Sequence, residues 1–213
     1  MTSGRATRSP ELTQNEISVE HRGGLAIVAA GFLLSLFAQA AHATTFIDAS
    51  FDMDEDGFIY RDDAFRGSQQ PAYASGVRIP AGGFAGGALQ VSLGGVDAAG
   101  IDLMSGGWER IFTLAGPEAL ELTLRCRLTQ RSEYESDELS QVMVSFEGRL
   151  IGMGRADFVA EVKGDGNGGI DRTTGWRLFR AGLGIFPAGS HSLIIGGFNN
   201  HKSDTNVVDQ NLG

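Results

Sequence analysis

The chain has 213 residues, 42% of them apolar, with 17 Lys and Arg against 26 Asp and Glu, a formal net charge of −9. That length and apolar share support one packed domain plus a targeting segment and exclude global disorder. The acidic surplus argues against nucleic acid and anionic membrane surfaces, both of which call for a basic face. Glycine is abundant, 31 residues against five prolines, and follows no Gly-X-Y period. Collagen is therefore out, and many tight turns between short strands are in.

The first element in chain order is an export signal. Residues 25–38, "LAIVAAGFLLSLFA", form an apolar run after Arg22, with Arg5 and Arg8 further back. "AQAAHA" follows and offers small-residue cleavage sites at Ala38-Gln39-Ala40 or Ala41-His42-Ala43. The run falls short of the ~20 residues a membrane-spanning helix needs. Residues 1–43 are thus predicted to be a signal helix; Glu11, Glu16 and Glu20 dilute its leading charge and keep an uncleaved anchor as the alternative. Either way the rest is delivered outside the cytoplasm, secreted or periplasmic, with no membrane contact once the signal is cleaved. Residues 1–43 hold three Arg and three Glu, so the remainder carries the whole −9.

From Thr44 on the pattern is that of strands. "TTFIDASF" (44–51) is predicted to open the domain as a strand, followed by "ALQVSLGGV" (88–96) and "WERIFTL" (108–114). "ALELTLRCRLT" (119–129) is the clearest: Leu120, Leu122, Leu124, Cys126 and Leu128 share one face, and Glu121, Thr123, Arg125 and Arg127 the other. A period of two over nine residues is no use to a helix. Cys126, the lone cysteine, belongs to the apolar face and reads as a small buried residue. "SQVMVSFEGRLIGMG" (140–154) reads as a hairpin turning at Glu147-Gly148. "WRLFRAGLGIF" (176–186) and "GSHSLIIGGF" (189–198) complete the set, with Trp176 and Leu178 on one side and Arg177 and Phe179 on the other. Trp108 and Trp176 both follow Gly at strand starts, so both read as core residues, with a sugar platform as the alternative. The stretches "AYASGVRIPAGGFAGG" and "KGDGNGGIDRTTG" read as long connections. The fold class expected is all-β: a two-sheet antiparallel sandwich, jelly-roll-like, spanning 44–202.

Acidic stretches supply the candidate sites. "DMDEDGFIYRDD" (52–63) matches the first eight positions of an EF-hand loop, with Asp52, Asp54 and Asp56 followed by Gly57 and Ile59, and Asp63 at the twelfth position. An EF-hand also needs a helix on each side, and "TTFIDASF" before it and Gly67 and Pro71 after it deny both. Asp52, Asp54, Asp56 and Asp63 are therefore candidate ligands for a structural calcium on a non-helical loop, against a plain solvated turn. Asp165, Asn167 and Asp171 form a weaker candidate that a glycine-rich hairpin also explains. The four histidines are scattered, which removes zinc. In "SEYESDE" (132–138), Glu135, Asp137 and Glu138 are candidate ligand-lining residues. On a strand, Glu133, Glu135 and Asp137 would point to one face about 6–7 Å apart, which supplies the alternative function: a jelly-roll glycoside hydrolase working with paired carboxylates.

The blocks "DGFIYRDDAFRGSQQPAYASG" (56–76), "LMSGGWERIFTL" (103–114), "YESDELSQVMVSFEG" (134–148), "VKGDGNGG" (162–169), "TTGW" (173–176) and "GSHSLIIGGFNNHK" (189–202) resemble a module that recurs in large secreted bacterial proteins. It is a jelly-roll-like sandwich similar in style to MAM and carbohydrate-binding modules. The resemblance implies a non-catalytic binding or structural unit with a carbohydrate or cell-surface partner. The module would close with an acidic strand of the form E-x-x-V-x-D-D-V. Here "SDTNVVDQNLG" (203–213) keeps only Val207, Val208 and Asp209, and is expected to be a polar tail or a degenerate closing strand.

Overall fold

The computed structural model describes residues 45–66, 73–94, 101–132, 134–166, 170–202 and 207–212. The signal reading of 1–43, Glu133 and Asn167 lie outside them. Within the described residues, twelve strands make up two six-stranded antiparallel sheets. They are β1 (Ile59–Asp62), β2 (Ala74–Ile79), β3 (Ala88–Gly94), β4 (Ile101–Leu114), β5 (Glu118–Gln130), β6 (Leu139–Phe146), β7 (Arg149–Leu150), β8 (Ala160–Lys163), β9 (Arg172–Thr173), β10 (Arg177–Phe186), β11 (Gly189–Lys202) and β12 (Val207–Leu212). The first sheet runs β1-β4-β11-β6-β7, with β8 also on β6; the second runs β10-β5-β12-β3-β2, with β9 also on β5. This is the jelly-roll-like sandwich the alternation predicts.

The alternation of β5 is realised as read. Leu120, Leu124, Cys126 and Leu128 are buried against the facing sheet, while Glu121 and Thr123 are exposed on the other side. Across the interior they meet Leu89, Val91 and Leu93 of β3, Val142, Val144 and Phe146 of β6, and Leu193 and Ile195 of β11. Each such side chain contributes roughly 1.5–3 kcal/mol by leaving water. Trp108 is 5% exposed and its Nε1 donates to the Gln90 carbonyl oxygen at 3.1 Å, joining the two sheets. The turn of the β6–β7 hairpin falls at Glu147-Gly148, with φ of 51° and 73°, the left-handed pair that a two-residue hairpin with native twist requires.

Glycine pairs in "SGGW" and "IIGGF" set the middle of the first sheet. Gly106 and Gly107 of β4 lie opposite Gly197 and Gly196 of β11. The space that four missing side chains leave is taken from both faces. Inside, Tyr60 packs so close that a Cβ on Gly76 would lie 2.1 Å from its Cδ2 and one on Gly106 2.5 Å from its Oη. Outside, Ala64 and Phe65 crowd Gly107, and Phe65, Met143 and Phe198 form a second small core on that outer face.

Three expectations are corrected. Residues 45–51 form no strand; the amides of Ser50 and Phe51 go to the Asp56 carboxylate, at 2.9 and 2.7 Å, in place of a ladder. The supposed loop 72–87 contains β2, and 163–175 contains β9. The inward face of β10 is Phe179, Ala181 and Leu183, whereas Leu178 is 44% exposed and Trp176 is half-buried on the outside. Gly175, at φ 62°, turns the chain just before β10; Trp176 and Leu178 share one side as read, but that side is the outer one. The segment 203–213, read as a polar tail or a degenerate closing strand, contains β12, an interior strand bonded to β3 on one side and β5 on the other. Further along, β10 departs from regular pairing with β5 between Gly182 and Gly184.

Two outcomes are expected. A methyl on Gly196 would stand 2.1 Å from the Gly106 carbonyl oxygen, so Gly196→Ala should lower stability in urea unfolding by about 3 kcal/mol; Gly116→Ala, whose methyl meets nothing, is the neutral control. Cys126 is fully buried, and burial pushes its thiol up to about 11 against a slight opposing pull from Arg177. The native protein should not react with a thiol reagent at pH 8 until denaturant is added. Because the folded state holds this proton more tightly, the contribution is complete below the unfolded thiol's pKa and is lost as pH rises toward 11.

Candidate functional site

The acidic stretch 52–63 folds as a tie, with its carboxylates turned to separate amides. Asp56 caps Ser50 and Phe51, Asp54 Oδ1 accepts from the Asp56 amide at 2.7 Å, and Asp52 Oδ1 accepts from the Gly87 amide at 2.9 Å. Asp63 follows β1, four extended residues or roughly 13 Å along the chain from the others, and its amide donates to the Ser105 carbonyl oxygen. Among the described residues no three acidic, histidine or cysteine side chains converge as a metal cage. Melting in calcium and in chelator tests the calcium reading: a site saturated 100-fold above its Kd would add about 2.7 kcal/mol, a rise of several degrees, and equal melting temperatures would remove it.

The second acidic stretch is a turn between β5 and β6, with no strand to align it. Glu135 and Asp137 are exposed there, while Glu138 is buried and its Oε2 accepts from the Glu135 amide at 2.8 Å. The turn is locked from below: Tyr134 is 1% exposed, its carbonyl oxygen accepts from the Asp165 amide, and its hydroxyl accepts from Asn199 Nδ2 at 3.1 Å. Glu135 and Asp137 thus face solvent from the turn while Glu138 points inward. Asp171 is spent on the same region. The Ser132 amide, then the Arg131 guanidinium, hold its carboxyl below the usual carboxylate range. A groove of about 470 Å³ does lie elsewhere, with Phe146, Ile151, Leu183 and Phe186 along it and Arg149 and Arg155 at its rim. Its one carboxylate, Asp157, is paired with Arg66 at 2.7 Å, so the groove lacks the two carboxylates a glycosidase uses.

What the structure does assemble is an aromatic and arginine face on the outside of the second sheet. Leu178 lies opposite Arg125 in the β10–β5 register. One residue before β10, the Trp176 ring sits 5.1 Å from the Arg127 guanidinium carbon. From the β2–β3 connection, Phe84 reaches over: its ring lies 3.9 Å below the Arg125 guanidinium carbon and meets Trp176 edge-on, centroids 6.0 Å apart at 78°. Phe84 is 50% exposed. Further across the sheet, Asn211 holds the register position between Arg127 and Gln90, and Asp209 that between Thr129 and Ser92. The loop bearing Phe84 is fixed by the first acidic stretch. Asp52 grips Gly87, Arg78 Nη1 donates to the Phe51 and Asp52 carbonyl oxygens at 3.0 and 3.2 Å, and Gly83 donates to the Gly86 carbonyl oxygen at 2.8 Å.

Phe84, Arg125 and Arg127 are absent from the candidates read from sequence. Trp176 was the available signal, as a sugar platform, but its predicted inward phase hid it. His191 is buried among Phe112, Phe146 and Phe186 at one end of the sandwich, with Nε2 3.0 Å from the Pro187 carbonyl oxygen.

No protein-family profile and no curated protein matches the chain. Among solved structures it is similar to the K1 cleaved adhesin domain of Lys-gingipain from Porphyromonas gingivalis W83, at 16% identity over 78% of this chain and 95% of that one, TM-score 0.35. It is similar also to TmCBM61 in complex with β-1,4-galactotriose, at 9% identity over 72% and 83%, TM-score 0.31. A third neighbour is the family 11 carbohydrate-binding module from Clostridium thermocellum in complex with a β-1,3-1,4-mixed-linked tetrasaccharide, at 15% identity over 73% and 86%, TM-score 0.25.

Proposed function

We propose that this chain is an exported, non-catalytic module that binds a glycan on the outer face of its second sheet. The observation that carries the reading is the Phe84–Trp176 pair, two aromatic rings left on a sheet surface beside two guanidinium groups. Sugar rings present C–H faces that stack on aromatics and hydroxyls that need planar donors and acceptors. Trp176 and Phe84 supply the first; Arg125, Arg127 and the polar positions of β3 and β5 supply the second. A flat, open sheet surface suits a polymer that runs across it. The export signal predicted at 1–43 would bring the module to where such polymers lie. Hydrolysis is not part of this reading, because Glu135 and Asp137 stand in an exposed turn and Glu138 is consumed as a cap.

Trp176→Ala and Phe84→Ala should each weaken glycan binding at least tenfold in affinity electrophoresis or calorimetry. Loss of a central aromatic anchor typically costs 2 kcal/mol or more. Both side chains lie outside the core, so melting temperature should stay within a few degrees of the parent. A glycan array on which nothing binds, or binding indifferent to both substitutions, would remove the proposal.

A further inference from the structure

We infer that the glycan taken by this face is anionic, a uronate-bearing polysaccharide. The inference rests on the glycan reading above and adds the charge of the ligand.

The chain is acidic overall, at −9, yet the face around Phe84 and Trp176 is cationic. Arg125 and Arg127 point outward from β5, two residues apart on one strand face, which places them about 6.5–7 Å from each other. Arg180 of β10, exposed, lies opposite Thr123, one step along the same surface. None of the three takes part in an ion pair among the described residues, whereas Arg61, Arg66 and Arg131 elsewhere are each matched to a carboxylate at 2.7–3.0 Å. The acidic positions in the neighbourhood are Glu121, exposed on β5 beyond Thr123, and Asp209 at the register position beside Thr129.

The arginines are also preset for a planar acceptor. Arg125 and Arg127 are held over rings, at 3.9 and 5.1 Å, with no acid beside them among the described ion pairs, whereas Arg66, over the Phe198 ring at 4.6 Å, is also paired with Asp157. Arg127 Nε is buried and has no hydrogen-bond partner. A guanidinium stacked on an aromatic keeps its N–H donors at its edge, where they match the two oxygens of a carboxylate. A neutral sugar hydroxyl would satisfy one such donor and leave the charge uncompensated in a partly desolvated setting, which is costly.

The overall acidity does not forbid this. Charges spread over the rest of the surface are screened beyond about 10 Å at 0.1 M salt, while an arginine–carboxylate contact acts at bonding distance. The net charge therefore slows the encounter, and the local arginines decide the bound state. The same balance distinguishes a uronate from a bare polyanion. Nucleic acid would gain the arginine contacts too, but its dense phosphates would meet the surrounding acidic surface over a much longer stretch.

The full secreted chain is to be titrated with polygalacturonate, alginate and hyaluronan, with methyl-esterified homogalacturonan as the neutral counterpart of the first, and with dextran sulfate and single-stranded DNA as polyanion controls. The result expected is binding to at least one uronate polymer, weaker in rising NaCl, at least tenfold weaker in the Arg125→Gln/Arg127→Gln variant, and absent for the methyl ester if polygalacturonate is the polymer bound. Arg125→Lys/Arg127→Lys, which keeps the charge but loses the fork, should fall between. The salt series and the controls on the parent chain need no variant, so they decide the matter even if the double variant does not fold. Binding of neutral glycans that Trp176→Ala abolishes and the glutamine pair leaves intact would overturn the anionic ligand and keep the glycan platform. Binding of DNA or dextran sulfate as tightly as any uronate would overturn it in favour of charge alone. No binding to any glycan would overturn this inference and the proposed function together.

Discussion

The second sheet is held together by its last strand. β12 lies between β3 and β5 and bonds to both, so without Val207–Leu212 the sheet divides into a β2–β3 ribbon and a β9–β5–β10 ribbon. The candidate face crosses that joint. Phe84 comes from one ribbon and Trp176, Arg125 and Arg127 come from the other. Formation of the face therefore depends on a pairing made between the end of the chain and residues more than 75 positions earlier. Such a contact forms only after substantial loop-closure entropy has been overcome.

Polar side chains inside and around the sandwich serve mainly to fix loops. The first acidic stretch spends its carboxylates on the amides of Ser50, Phe51, Asp56 and Gly87, and through Gly87 it reaches the loop that carries Phe84. Glu138, Tyr134 and Asn199 do the same at the β5–β6 turn. The four-glycine patch in the first sheet acts in the opposite sense, by removing side chains so that Tyr60 and Phe65 can approach the sheet from its two faces. In both cases the residues position their neighbours: the carboxylates by accepting from amides, the glycines by leaving room.

How much of this the sequence disclosed depends on the signal each element carries. β5 was legible because thirteen residues with one wet face leave no alternative to a two-residue period, and the Glu147-Gly148 turn because its backbone demands those residue types. β2 was hidden by Gly76, a position left bare by Tyr60's approach and therefore silent in any hydrophobic pattern. β12 was left between a polar tail and a degenerate closing strand, because its mixture of Asp, Gln and Asn lies on a strand flanked on both edges, where backbone pairing carries the strand without a strong apolar pattern. The site was least legible. It is built by register between β5 and β10 and by a loop folded over them, and neither is written in local spacing; the one clue, Trp176, lies on the outer side of an alternation whose inward side is marked by Phe179.

The irregularity in β10 between Gly182 and Gly184 has a consequence for life at high density. β10 is an outer strand of its sheet, ten residues long, and carries exposed Leu178 and Ile185. A straight outer strand of that kind would template accretion of a second molecule, edge upon edge. The bulge skews its free amides and carbonyls out of step, and Arg177 and Arg180 add like charge along it. The sandwich can thus keep Phe84 and Trp176 on its outside without offering β10 as a template for fibrils.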